Sequence, residues 1–332
     1  MIFACIISTF VVLKSKPFPS LSTKLWLTSS LLGTMAIRNE TEVRLTPTSH
    51  RSQELQRFRR VFLGRAVVNF GLVVIIILIV AAIFAPWLTP HDPYDTNISQ
   101  RLLTPSWDHL LGTDSLGRDT LSRLIYGSRI ALMVGAVSVG IAATVGMTIG
   151  LIAGYFGGWI HSIIMRFVDA LMCFPMILLA LVIASLLGGG LRNVMIALGI
   201  AMVPGYARLM CGQVLSVKEN DYVLAAHAFG ANNIRMMLRH IMPNCFPPLI
   251  VLVTMQIGMA IMAEAGLSFL GIGIEPPSAA WGTMVNDGRI HLLDYPILSF
   301  APGLAIMLVV FSFNMVGDGF RDYLDPRLRG LI

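Results

Sequence analysis

Charge is scarce in this sequence: Asp, Glu, Lys and Arg supply 13% of the residues and hydrophobic ones 55%, with a mean hydropathy of +0.75. A freely soluble domain of this length cannot cover its surface with so few charges, so a polytopic membrane protein is implied. Cysteine is scarce too. The four present, Cys5, Cys173, Cys211 and Cys245, are scattered, three of them in or beside apolar stretches, and suggest neither a disulfide framework nor a thiolate metal site. No G-x-x-x-x-G-K-[ST] phosphate loop occurs, and the Gly188–Gly190 run has no lysine after it, so this chain is not expected to bind ATP itself. The seven histidines show no H-E-x-x-H or paired ligand spacing, which gives a metal site no motif. No nucleophile–base constellation can be assembled for an intramembrane enzyme. The net charge of +6 comes from basic residues near helix ends, where membrane topology explains them without nucleic acid.

What is abundant is apolar length. A bilayer core about 30 Å thick takes roughly 20 apolar residues per helix, and continuous runs without two-residue alternation make the spans helices. Six spans are read: Ala66–Leu88, Ile130–Gly154, Ile163–Leu187, Val194–Leu215, Pro248–Leu267 and Ile297–Val316. An even number puts both termini on one side. Arg38, Arg44, Arg51, Arg57, Arg59, Arg60 and Arg65 precede the first span, whereas Asp92, Asp95, Asp108, Asp114 and Asp119 follow it, so that side is the cytoplasm. Asn220–Phe246 then falls in the cytoplasm, and Thr89–Arg129 and Ser268–Pro296 fall outside. Met1–Leu13 is apolar but too short to cross and is at most a weak signal peptide. Met35 begins a polar stretch, so residues 1–34 read as an upstream extension of the reading frame.

Within the spans, Gly146, Gly150 and Gly154 at four-residue spacing free one helical face for close approach, as a packing surface or a pathway lining. Pro175 and Pro204 each remove a backbone donor and kink their helices, either as hinges or as static shape. Arg166 and Asp169, three apart, can pair, as structure or in transport, and Arg208 can extend toward the cytoplasmic interface. Glu264, toward the outer end of its span, is a packing carboxylate or part of an entrance. In the outer loops Asp92, Asp95, Asp114, Trp107, Trp281 and Asp287 suit docking of another protein, although interfacial Trp usually anchors a helix. An ion-coupled secondary transporter would need mid-membrane carboxylates and an inverted repeat, and neither is evident.

Between the fourth and fifth spans lies a polar-faced segment, YVLAAHAFGANNIRMMLRHIMP, Tyr222–Pro243. It predicts a short helix over Leu224–Phe229, a turn at Gly230 in the left-handed region, and a second helix over Asn232–Met242 ended by Pro243. Ile234, Met237, Leu238 and Ile241 at helical spacing, with Arg235 and Arg239 elsewhere on the circumference, make the second helix amphipathic. Such a helix lies on the membrane surface or presses into a groove of a partner.

The order and spacing of Ala225, Ala226, Gly230 and, thirteen residues further, Pro243 reproduce the EAA loop of permease subunits of binding-protein-dependent ABC importers. The chain resembles most the dipeptide, oligopeptide and nickel branch of that family, on the C-type peptide permease side. LLGTDSLGRDTLSRLIYGSRIAL (Leu110–Leu132), EAGLSFLGIGIEPPSAAWGTMVNDGR (Glu264–Arg289) and FNMVGDGFRDYLDPRLRG (Phe313–Gly330) are similar to further stretches of that family, extending the resemblance over most of Ala66–Arg329.

The resemblance implies an all-α polytopic membrane protein of six transmembrane helices with the type I ABC importer permease fold. It implies an N-terminal cytoplasmic segment over 1–65, a first span and outer loop over 66–127, a permease core over 128–317 with a coupling segment at 220–246, and a cytoplasmic tail over 318–332. Ala225, Ala226, Gly230, Ala231, Arg235 and Pro243 would form the contact with an ATP-binding subunit, and Pro175, Pro204 and Glu264 are candidates for pathway or gating roles. The family's usual glutamate is Leu224 here, so a carboxylate bridge or cap cannot be carried over. The implied partners are a homologous second permease, two ATP-binding subunits holding ATP and Mg, an external substrate-binding protein and membrane lipid, with no cofactor on this chain. Peptide is the implied cargo, with nickel, glutathione or another small solute as alternatives, and the cell inner membrane is the implied location.

Overall fold

The computed structural model describes residues 64–324. The arginines from Arg38 to Arg60, the start at Met35, Cys5 and the tail beyond Leu324 lie outside the described residues. All the regular structure within them is helical. The helices are α1 (Ala66–Leu88), α2 (Thr120–Phe156), α3 (Gly158–Met172), α4 (Met176–Leu187), α5 (Leu191–Lys218), α6 (Asp221–Ala228), α7 (Asn233–Phe269), α8 (Trp281–Gly288) and α9 (Ile297–Leu324). Helices α1, α2, α5, α7 and α9 are each long and apolar enough to cross a bilayer. The pair α3 and α4, bent by 91°, makes a sixth candidate.

The glycine face fixes the centre of the bundle. A Cβ on Gly146 would lie 2.5 Å from the Tyr206 Cβ, on Gly150 2.3 Å from the Ala207 carbonyl oxygen, and on Gly154 2.8 Å from Val214. The two numbers rise together along both helices, so α2 and α5 run parallel with backbones in near contact. That is the packing reading of the glycines, with three missing side chains allowing the van der Waals approach that holds helices together in lipid. Tyr206, Met210, Val214, Ile241, Cys245 and Leu249 fill the adjoining core. Because α2 and α5 are parallel, α3 and α4 between them must return the chain from one end of the bundle to the other.

The third span is the main departure from expectation. A single kinked helix over Ile163–Leu187 is replaced by two helices, with Pro175 as the N-cap of α4. Proline restricts the residue before it to extended backbone and lacks the donor that would continue α3, so the helix ends and does not merely bend. Helix α1 has the expected bounds, Ala66–Leu88, and α2, α5, α7 and α9 overrun theirs. Helix α2 starts ten residues before Ile130, where Asp119 caps it by accepting from the Ser122 N–H at 2.7 Å, and stops at Gly157, φ +66°. At 37 residues it is about 55 Å long, more than a bilayer core needs. Helix α5 runs unbroken through Pro204.

The ion pairs also fall differently. Asp169 pairs with Arg208 of α5, not with Arg166, and so ties α3 to α5. Arg65 pairs with Asp322, which places the start of α1 and the end of α9 at one end of the bundle.

Candidate functional site

The segment between α5 and α7 is a folded knuckle on that same end. Helix α6 stops in a glycine cap: the Gly230 N–H donates to the His227 carbonyl at 3.0 Å and the Ala231 N–H to the Ala226 carbonyl at 3.1 Å, with Gly230 at φ +78°. Left-handed backbone at that point is what glycine supplies cheaply, and the paired bonds satisfy carbonyls the helix end would orphan. Asn232 then restarts the chain as a helix by accepting from the Ile234 N–H at 2.7 Å.

The restarted helix differs from the expected one. It is not ended by Pro243 but runs on as α7, passing through a π-helical stretch, Met236–Ile241. The Met242 N–H reaches the Met237 carbonyl five residues back. A ring at Pro243 would crowd the carbonyl four residues earlier, and a wider turn relieves that conflict without ending the helix. The Asn244 side chain donates to the His240 carbonyl at 2.7 Å, satisfying an acceptor within the wide turn.

This turn also redraws the amphipathic face. Met236 and Ile241 are buried, whereas Ile234 and Leu238, expected on the same apolar side as Ile241, are 62% and 56% exposed. Val223, Met236 and Ile241 seat the knuckle on the core, with Ala226, Ala231 and Met237 packed against them. On the outside stand Leu224, Ile234, Leu238 and Phe229, the last 93% exposed, beside exposed Ala225, Gly230, Arg235 and Pro243. An exposed apolar knob has the composition of a docking surface.

The knuckle is wired to the bundle. Tyr155 at the end of α2 donates its hydroxyl to Asn233 Oδ1 at 2.8 Å, and the Lys218 ammonium at the end of α5 donates to the Tyr155 carbonyl at 2.9 Å and sits 5.8 Å from its ring. A push on the knuckle at the start of α7 therefore meets the ends of the two parallel central helices. Sequence reasoning did not single out Tyr155, Lys218, Asn233 or Phe229. An aromatic preceding the glycine cap was the one available signal, while the Tyr155 link depends on contacts far apart in the chain.

The pathway candidates are not gathered in one place. Pro175 is the α3–α4 corner, Pro204 is buried inside α5, and Glu264 is 2% exposed, accepting from Ser268 Oγ at 2.6 Å. Glu264 is thus a packed carboxylate in this conformation. At the knuckle end, a cavity of ≈ 680 Å³ opens between α5, α7 and α9, lined by Gln213, Asn244, Val251, Met255 and Arg321 among others. Of the residues suited to docking another protein, Trp107 is 96% exposed, but Trp281 is buried with its indole N–H on the Leu124 carbonyl at 2.9 Å, and Asp114 is held by Arg118 at 2.6 Å.

Comparison with known proteins gives the knuckle its context. Residues 146–330 match the family described as binding-protein-dependent transport system inner membrane component, and residues 54–105 match the N-terminal TM domain of oligopeptide transport permease C. The chain is 45% identical over 259 residues, 78% of its length and 85% of the relative's, to the dipeptide transport system permease protein DppC of Alkalihalophilus pseudofirmus. It is 40% identical over 305 residues, 92% of its length and 99% of the relative's, to the glutathione transport system permease protein GsiD of Pectobacterium atrosepticum. In fold it is similar to a chain of the MetNI methionine ABC transporter in an inward-facing conformation, with a TM-score of 0.52 at 15% identity, over 61% of this chain and 96% of that one.

Proposed function

The chain belongs to the binding-protein-dependent transport system inner membrane component family, and on that premise we propose that it moves dipeptides or similar short peptides into the cell. It is a non-catalytic, multi-pass inner membrane subunit of an ABC importer; ATP is bound by partner subunits. The reading assigns it a homologous second permease, two ATP-binding subunits holding ATP with Mg, and an external binding protein. Peptide cargo is supported by the oligopeptide permease match and by relatives whose names specify dipeptide and glutathione. The shared end of α1, α9 and the knuckle is the cytoplasmic one, so both termini are cytoplasmic. Arginine excess before Ala66 supports this.

In this mechanism the knob around Phe229 sits in a cleft of the ATP-binding subunit. Closure of the ATPases moves the knuckle, and the Asn233–Tyr155–Lys218 link hands that motion from the start of α7 to α2 and α5 as rigid elements. Ala225, Ala226, Ala231, Arg235 and Pro243 surround the contact, Gly230 shapes it, and Pro175 is the corner between α3 and α4, which join the two moving helices in sequence. For coupling, ATP and the loaded binding protein must favour the same outward-facing state. The exposed Phe229 held on a rigid glycine cap carries the reading.

The test is uptake of a labelled dipeptide by cells carrying the whole transporter, with disulfide trapping from Phe229→Cys to the ATPase cleft. Trapping and loss of uptake with Gly230→Trp are expected, with the permease still assembled in the membrane. Unchanged uptake by Gly230→Trp, or labelling of Phe229→Cys only from outside the cell, would overturn the coupling assignment. Excess glutathione that abolishes dipeptide uptake would assign the cargo to that tripeptide.

A further inference from the structure

We propose that His91, His109 and Asp119 form a binding site for one borderline divalent metal ion of the zinc and nickel kind, in the loop between α1 and α2. The proposal is independent of the importer's cargo. The three residues belong to three different turns of chain, at the start of the loop, in its middle and at the cap of α2, which is why no sequence spacing announced them. Folding brings one ligating atom from each within 4.8 Å of the other two. The His91 and His109 ring centroids are 4.7 Å apart.

The distances and donor types suit one ion. Bonds of about 2.0–2.2 Å to one dication put neighbouring ligands roughly 3.0–3.4 Å apart, and His109 Nδ1 lies 2.9 Å from Asp119 Oδ1. Two imidazoles with one carboxylate favour zinc, nickel or copper over calcium or magnesium, which seek oxygen throughout. The orienting groups are also in place. The Asp108 carbonyl oxygen is 2.8 Å from His91 Nε2, and the Ser122 N–H holds Asp119 Oδ2 at 2.7 Å, leaving Oδ1 toward the histidines. His109 and Asp119 are buried and His91 is exposed, so an ion can enter from the His91 side and find two ligands already fixed. The buried His109–Asp119 hydrogen bond by itself suffices to steady the cap of α2; it does not account for a second imidazole held at ring distance from His109. Bound metal would staple the start of the loop to the first turn of α2, closing that loop and stiffening the outer face.

The experiment uses the full-length, tag-free chain in nanodiscs, stripped with chelator and titrated with zinc alone, then with nickel, by calorimetry and thermal unfolding. One ion per chain and a zinc-dependent rise in Tm are expected. His91→Ala should weaken binding by at least about tenfold and abolish the rise. Its stripped Tm should fall only slightly below the parent's, because the exposed Asp108 contact is lost but the backbone N–H of His91 keeps its 3.2 Å bond to Ser122 Oγ. No stoichiometric binding by the parent chain, or undiminished binding by His91→Ala, would overturn the site. Binding of several ions without a Tm change would mean adventitious surface binding and overturn it equally.

Discussion

Gly230 and Gly150 are both glycines for different reasons, and substitutions separate them. Gly230 has open space where a Cβ would go, but its φ of +78° is one that L residues resist by about 1–2 kcal/mol. Gly230→Ala should therefore leave the permease folded and reduce dipeptide uptake only partly, whereas Gly230→Trp adds bulk at the proposed docking knob and should stop uptake while the ATPase subunits still hydrolyse ATP. Measuring uptake and ATPase activity on the same membranes checks both. At Gly150 the backbone is ordinary helix, and the objection is a Cβ placed 2.3 Å from the Ala207 carbonyl oxygen. Gly150→Ala should cost roughly 1–3 kcal/mol of packing, read as a lower Tm in detergent; Gly140→Ala, mid-helix with nothing within 4 Å, should not lower it. The glycine face was legible in the sequence because four-residue spacing alone puts residues on one side of a helix. The burial of Glu264 against Ser268 was not, since a carboxylate near a span end reads the same whether packed or open.

At the level of the element, the knuckle shows where periodicity stops being informative. The turn at Gly230 and the helix before it could be read from residue types that act locally: a glycine that tolerates left-handed backbone, and an asparagine that caps the next helix. The face of the next helix could not. Counting by 3.6 assigns Ile234, Leu238 and Ile241 to one stripe, but six residues of π-helix, Met236–Ile241, rotate the residues before them relative to the rest of α7. Pro243 has the chemistry of a stop, yet a wide turn absorbs its ring and the helix continues for the length of a span. The link from Tyr155 to Asn233 is likewise beyond sequence reading, because it joins residues far apart in the chain. Tyr155→Phe removes only that hydroxyl, a bond worth about 0.5–1.5 kcal/mol, and leaves the ring beside Lys218. Uptake per ATP hydrolysed should fall with assembly unchanged. Asn233→Ala should do the same, and the double variant should be no worse than either single, since both cut one link.

Taken whole, the bundle bears on how many times the chain crosses the membrane. Five single helices meet the length requirement, and an odd count would put the two ends of the described chain on opposite sides. Three contacts argue otherwise. Arg65 meets Asp322 at one end of the bundle, α2 and α5 run parallel along the glycine face, and their final turns meet through Tyr155 and Lys218. The chain between Gly157 and Gly190 must then travel the length of the bundle as α3 and α4. Helices of 15 and 12 residues set at 91° reach roughly 29 Å corner to corner, about one bilayer core. The bent pair has the reach of one crossing. Its corner is braced by the Asp169–Arg208 pair, and an unpaired charge at a span costs at least ~2.5–3.5 kcal/mol on insertion scales. Arg208→Asp should therefore impair assembly and the exchange Asp169→Arg with Arg208→Asp should restore it, read as permease level in membranes. Single cysteines at Gly157, Gly189 and Phe229 then test the count itself. An impermeant maleimide added outside intact cells should label only position 189, and labels at 157 and 229 should appear only in inverted vesicles. If 189 and 157 reacted from the same side, α3 and α4 would form a re-entrant loop, and the parallel arrangement of α2 and α5 would be wrong.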